Sequence, residues 1–365
     1  EYARVHDSLA AHGAVVSLSG FVPEPEIEKL REAAREHGWG LLITDPEPGD
    51  AVPTLLKESK FSRIISPLFQ FLGISPGYDE IDVSGGVLVF FTVFYAMIIG
   101  DAGYGLVFLL GTLLAKWKFR NSQAAVQPLR MMMVLSIAAI VWGVLTNNYF
   151  GTGPLPQLSL KFFTQENVKD ANVQAFCFML AVAQLSLGRI WRAVHEGNVR
   201  SIARNLGWML ILWGNFFLTL RLIVWPGEFA VYMYWLYGLG LLLVVCFDVN
   251  WKNVADIFQF PFSIINSFVD VLSYIRLFAV GMAGYYIAAS FNDMGASIWK
   301  VSPYFLIFGI LVILFGHLLN LGLCALSVLV HGVRLNTLEF SNHVGLSWSG
   351  SNFKPFKNHK KSEEN

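Results

Sequence analysis

Arg276 lies within "DVLSYIRLFAVGMAGYY", residues 270–286, a run that is otherwise almost entirely apolar, aromatic or small. An arginine at the centre of a membrane helix costs about 2.5 to 3.5 kcal/mol on insertion scales, so the position implies a use. Arg334, in "GHLLNLGLCALSVLVHGVRLNTLEF", is the second arginine of this kind, although it stands close enough to the chain end to snorkel. On a helical projection His317, Asn320, Ser327, His331 and Arg334 share an arc of roughly 100°. Asn266, Asp270, Ser273 and Arg276 share an arc of about 120° on the preceding helix. Two long helices, each with a polar stripe ending in an arginine, describe a buried polar seam and hence a candidate ion pathway, because lipid cannot satisfy such groups. Hydrogen bonding between helices explains Ser273 or Ser327 equally well, but not two arginines and two histidines.

The chemistry narrows the role. Arginine keeps its proton in proteins, so Arg276 cannot relay protons by titration. It can hold a fixed charge, stabilise a passing carboxylate and repel other cations. No obvious partner acid lies deep in these helices; Asp270 is the nearest candidate, and a carboxylate from another subunit is the alternative. Asp101, in "IIGDAGYGL", reads either as the cap of a helix hairpin or as the lining of an aqueous vestibule. His195, His343 and His359 stand near basic segments and read as solvated. No GxxxxGK[ST], HExxH or catalytic-triad spacing occurs, so no nucleotide-hydrolysis site, metal centre or cofactor is expected.

These residues must be positioned by membrane helices. Hydrophobic residues make up 55% of the 365, and only 14% are charged, against about 25% in a soluble domain. Basic and acidic residues number 26 each, which leaves no footprint for a nucleic-acid partner. Cys177, Cys246 and Cys324 lie in apolar segments without CxxC spacing and read as buried free thiols. The opening, "EYARVHDSLAAHGAVV", reads as the interior of a helix, with no cleavable leader pattern, as in a piece of a longer chain.

The expected class is mostly α. Residues 1–80 form a small soluble α/β part, 81–345 a polytopic domain, and 346–365 a basic tail. In the first part "AVVSLSGFVP" and "WGLLITDP" read as strands around the helix "EPEIEKLREAAREHG", a βαβ-like unit. Eight spans are expected, at about 85–100, 102–117, 129–148, 172–190, 204–224, 229–247, 260–291 and 303–341. The last two exceed a simple crossing and should tilt or protrude. Basic residues cluster after the second span (Lys116, Lys118, Arg120, Arg130), after the fourth (Arg189, Arg192, Arg200, Arg204) and in the tail (Lys354, Lys357, Lys360, Lys361). That alternation puts both chain ends in the cytoplasm.

Taken in order, "YDEID", "IIGDAGYGL", "LSYIRLFAVGMAG", "GHLLNLGLCALSVLVHGVRLNTLEF" and "FKPF" resemble subunit I, or subunit a, of V-type/A-type rotary ATPases. The resemblance covers about residues 14 to 357, with a tail like that of prokaryotic members. It implies a stator subunit in a prokaryotic plasma membrane, beside a rotating proteolipid c/K ring. The further partners it implies are peripheral-stalk subunits of the E and G/H types, a central-stalk connector subunit and membrane lipid. By resemblance Arg276 is the arginine facing the ring carboxylate and Arg334 the second arginine. Asn266, His317 and His331 match half-channel positions, and a longer N-terminal arm is missing. Some members carry a glutamate at the position of Cys324 and a histidine at that of Gly284, which leaves the exit-path relay open. The coupling ion, proton or sodium, stays open too. The rival reading is a stand-alone secondary transporter, which would need internal repeats around a midplane site; no convincing repeat is seen.

The charge pattern makes a topological prediction. Cysteines introduced at 116–130 and 192–203 should react only with a thiol reagent supplied from the cytoplasmic side. Labelling of either segment from outside intact cells would overturn the eight-span arrangement.

Overall fold

The computed structural model describes residues 10–12, 15–47, 50–55, 60–78, 80–153, 158–165, 168–301, 303–351 and 353. They fall into two compact units, one of residues 1–58, 69–82 and 347–365, the other of residues 59–68 and 83–346. Tail residues Lys354, Lys357, His359, Lys360 and Lys361, the "FKPF" motif beyond Phe353, and the first nine residues lie outside the described set.

In the first unit two three-residue strands, β1 (Ala10–His12) and β2 (Val15–Ser17), pair antiparallel with Ala10 opposite Ser17. Helix α1 (Ile27–His37) comes after a turn that carries Glu24 and Glu26, acids that suit the positive end of a helix dipole. The expected βαβ order is therefore corrected to hairpin then helix. Residues 39–46 form no strand, because none of the described residues offers them a ladder partner; Leu42 among them is exposed. The segment after Leu346 is held within the same unit. Ser347 donates from its backbone N and from Oγ to Glu80 Oε1 (2.7 and 2.6 Å), and Thr54 N donates to Ser351 O (2.7 Å).

A helix with an internal proline, α2 (Lys60–Leu72), precedes the second unit's helical array. In chain order the array is α3 (Ser84–Ile99), α4 (Ala102–Lys118), α5 (Gln123–Leu145), α6 (Lys169–Glu196), α7 (Val199–Thr219), α8 (Val231–Phe247), α9 (Val254–Leu272), α10 (Ile275–Val301) and α11 (Leu306–Ser327). Among the described residues five stretches are long and apolar enough to cross a membrane: α5, α6, α7 with its extension to Val224, residues Val254–Lys300, and residues Leu306–Val344. The pair α3 and α4 passes the same test jointly but bends by 119° between its halves, and α8 is a shorter apolar helix of 17 residues. The chain is a membrane protein built mostly of helix. Val254–Lys300, at 47 residues, would run about 70 Å as continuous helix, more than twice the roughly 30 Å hydrocarbon core.

Helices α3 and α6 supply much of the core. Phe91, Phe94 and Ile98 of the first are buried, as are Cys177, Phe178, Ala181 and Leu185 of the second. Large apolar side chains on α8, α9 and α11, among them Trp235, Phe262 and Phe315, point outward, as a hydrocarbon solvent permits. Cys177 and Cys324 are buried as free thiols, whereas Cys246 is exposed on the outward side of α8, contrary to the expectation for all three.

The bend between α3 and α4 arises from its residues. Gly100 takes φ +63°, the left-handed conformation that ends a helix, and Asp101 then caps the next one. Across from this corner, a Cβ added to Gly143 of α5 would sit 2.0 Å from the backbone N of Ala102. Gly143→Ala should therefore cost about 1 to 3 kcal/mol through overpacking. Gly111→Ala on α4, with nothing within 4 Å, should be neutral or mildly stabilising. Thermal denaturation of the two variants in detergent checks this; equal midpoints would mean that the corner yields freely.

Candidate functional site

Helix α9 stops at Leu272 and α10 resumes at Ile275, and Arg276 sits just past this interruption. Its Nε donates to Ser273 O (2.8 Å), and Ser273 Oγ donates to Asp270 O (2.7 Å). Ser273 O also accepts from Arg276 N (3.4 Å), so the guanidinium adds a second donor at that carbonyl. Arg276 Nη2 then donates to Glu339 Oε1 at 2.7 Å. Arg334 approaches the same oxygen, its Nε 3.6 Å away. A partner acid thus does lie deep in this chain, and it is Glu339, not Asp270 as expected. Glu339 is buried; Arg276 keeps about a quarter of its side chain exposed and Arg334 about half. Glu339 Oε2 is buried without a hydrogen-bond partner.

The last helix reaches this point through unusual turns. Beyond α11 the chain continues as π-helical turns at Val328–Gly332 and Leu335–Phe340, then a final turn at Ser341–Val344. Each π turn takes in an extra residue and so rotates the helix beyond it, a feature common at functional sites. His331 and Arg334 fall among these turns; His331 lies within electrostatic reach of both arginines, and its Nδ1 is buried without a partner. A buried chain of hydrogen bonds braces the same region. Tyr274 Oη donates to Gln184 Oε1 (2.7 Å), Gln184 Nε2 to Asn336 Oδ1 (2.9 Å), and Asn336 Nδ2 to Gly332 O (3.0 Å). Each donor side chain is at most 1% exposed, so the chain fixes the helix break against α6 and the last helix.

Asp270 meets a different partner. His343 Nε2 lies 3.0 Å from Asp270 Oδ2, and His343 Nδ1 accepts from Arg189 Nε at 3.0 Å. His343 is 2% exposed, so its reading as a solvated histidine is corrected: helices α6 and α9 enclose it. His195 is exposed, as expected.

A second polar group lies at the far end of the last helix. Tyr104 Oη contacts His317 Nδ1 (2.7 Å), and His317 Nε2 contacts Asn292 Oδ1 (3.0 Å). Asn320 Nδ2 donates to Tyr104 Oη (3.1 Å) and to Gly284 O (2.8 Å). The Cys324 thiol donates to Asn320 Oδ1 (3.7 Å). Asp101 caps α4 beside this group. Its Oδ1 accepts from Gly103 N and Tyr104 N (2.7 and 3.1 Å), and its Oδ2 from Gly151 N (3.0 Å). The continuous stripe expected on the last helix is thus two clusters, with Asn320 and Arg334 separated by about 21 Å of helix rise. Ser327 lies half-buried between them, and Asn266 faces outward, exposed, outside both. No group of three or more metal-ligating side chains occurs among the described residues.

Some of what sequence reasoning missed carried a signal. Glu339 stands five residues beyond Arg334, close enough along the last helix to be a candidate partner for that arginine. Gln184, Tyr274 and Asn292 carried none, because their partners lie far away in sequence.

No family model matches the chain. Among curated proteins it is similar to the V-type ATP synthase subunit I of Borreliella burgdorferi, at 38% identity over 94% of this chain and 60% of that protein. Identity to the V-type ATP synthase subunit I 1 of Treponema pallidum is 35%, over 98% of this chain and 62% of that protein. The A-type ATP synthase subunit I of Pyrococcus horikoshii is 26% identical over 93% of this chain and 53% of its own length. The chain therefore spans between half and two thirds of the length of these relatives.

The shared carboxylate makes a prediction independent of function. A thermodynamic cycle on Arg276→Ala and Glu339→Ala, read as denaturation in detergent, should give a coupling of about 1 to 3 kcal/mol. Additive effects of the two substitutions would show that the pair contributes nothing.

Proposed function

This chain belongs to the V-type/A-type ATP synthase subunit I family, and on that premise we propose that it is the static, non-catalytic membrane subunit past which a ring of ion-binding proteolipid subunits turns. The observation that carries this reading is Arg276, held at a helix break inside an apolar segment and left partly open to the outside. Two of its five N–H groups are used among the described residues, by Ser273 and Glu339, which leaves three for a carboxylate from another chain. The electrostatics favour such a visitor. Arg276 and Arg334 contribute +2 and Glu339 at most −1, so the cluster keeps a positive charge that an anionic ring carboxylate would offset.

The two polar clusters then serve as the two half-channels. Asp270 stands in the one nearer the end of α6 and the end of the last helix; Asp101, Tyr104, His317 and Asn320 stand in the other. A carboxylate arriving at Arg276 loses its ion, passes the fixed charge as an anion, and reloads from the second path. Because arginine does not release its proton, it also prevents the two paths from joining. The eight-crossing arrangement puts the basic segments and both chain ends in the cytoplasm, where the soluble unit meets the peripheral stalks and the ring meets its connector. Whether proton or sodium travels, the same carboxylate chemistry serves.

Ion uptake into liposomes carrying the reconstituted complex tests the gate, normalised to assembled enzyme. Arg276→Ala should abolish ATP-driven uptake while assembly persists. Arg276→Lys should be severely impaired, because an ammonium lacks the planar fork and burial lowers a lysine pKa by up to about 3 to 5 units. Near-normal uptake by the alanine variant would reject the gate. Near-normal uptake by the lysine variant alone would show that any fixed charge suffices.

A further inference from the structure

Arg189, His343 and Asp270 form a line of three groups from three elements, buried at its centre, with 3.0 Å at each junction. An arginine can only donate, so Arg189 Nε must give its hydrogen to a bare lone pair on His343 Nδ1. The imidazole proton is then on Nε2, where it points at Asp270 Oδ2. The tautomer is set by the partners alone. A histidine so engaged cannot take a second proton at Nδ1 without breaking the bond to Arg189, and it cannot pass a proton from one ring nitrogen to the other.

We infer that His343 is a non-titrating bridge that couples the Arg189 cation to the Asp270 carboxylate, and that it thereby fixes Asp270 as the anion that receives a monovalent cation in its half-channel. This rests on the proposed ion-translocating role. His343 is a positioning residue in this account, acting through Asp270.

The surroundings fit a clamp. Gly188 lets α6 come close: a Cβ there would lie 3.3 Å from His343 Cβ. Arg189 is covered by the Trp208 ring, 5.2 Å away, and Trp208 Nε1 donates to Asp248 Oδ2 (2.9 Å). The other charged groups facing this end of α6 are already matched. Arg192 pairs with Glu196 at 2.9 Å, and Arg204 pairs with Glu196 and with Asp248. Asp270 keeps nearly a quarter of its side chain exposed, and its Oδ1 has no hydrogen-bond partner among the described residues. One oxygen is thus held and the other is open.

Glutamine separates a clamp from a relay. It carries an amide N–H close to the position of Nε2, with an oxygen beside it, and it does not titrate. In the reconstituted complex His343→Gln should keep more than half of the parent uptake rate with an unchanged pH profile. His343→Phe, which removes the donor, should lose at least about tenfold, as should Asp270→Asn. Nitrogen-15 spectra of the histidine-labelled complex, with the His343 signal assigned by its loss in His343→Gln, should show the Nε2–H tautomer unchanged between about pH 5 and 8. An uptake loss in His343→Gln as deep as in His343→Phe, or a His343 signal that titrates in that range, would overturn the bridge. Arg276→Ala measured in the same liposomes separates the two ideas. Uptake by that variant rejects the translocation reading, whereas the nitrogen spectrum judges the bridge whatever the uptake result.

Discussion

Two guanidinium groups converge on one oxygen of Glu339, and much of the helical unit is arranged around that convergence. Arginine inside hydrocarbon is costly, and a lone carboxylate beside it would cancel its charge outright. Two arginines on one carboxylate avoid both extremes. The cluster pairs its carboxylate and still keeps a net positive charge. Arg276 contributes from the interrupted helix and Arg334 from the π-helical stretch. The Tyr274–Gln184–Asn336 chain then holds those two elements against α6. Removing the brace would leave three charges free to rearrange, so the neutral hydrogen bonds set the geometry that the charges exploit.

Polar groups in the helical unit are handled in three ways. Some bind backbone groups near helix ends, as Asp101 does at the start of α4 and Arg276 Nε does at Ser273 O. Others pair charge with charge through a neutral intermediary, as Arg189 and Asp270 do across His343. A few stay unsatisfied, notably Glu339 Oε2 and His331 Nδ1. A buried acceptor without a partner is expensive, and both examples lie beside the two arginines. Among the described residues seven buried side-chain atoms are left this way, and two of them flank the arginine pair.

Much of this is legible from residue types. Arg276 announces itself by its apolar context, the helical segments by their length, and Asp101 by standing after a glycine at a helix start. Other readings fail for physical reasons. Glu339 hides near a stretch that reads as the chain's polar end. His343 stands among polar residues such as Ser341 and Asn342, ahead of the basic tail, while α6 and α9 enclose it in space. Residues 39–46 have strand-like composition, but a strand also needs a partner, which composition does not report. The helical projection assumes 100° per residue throughout, a spacing that the turns from Val328 to Phe340 do not keep.

Those wide turns bear on how this helix tolerates changes in length. A π turn amounts to one residue inserted into an α-helix and absorbed locally. Deleting a single residue within one of these turns would let it relax to ordinary helix, and the residues beyond would keep their places against their partners. Deleting a residue from the regular part of α11 would instead swing everything beyond by about 100°. Glu339 would then leave Arg276, and His343 would turn away from both Arg189 and Asp270.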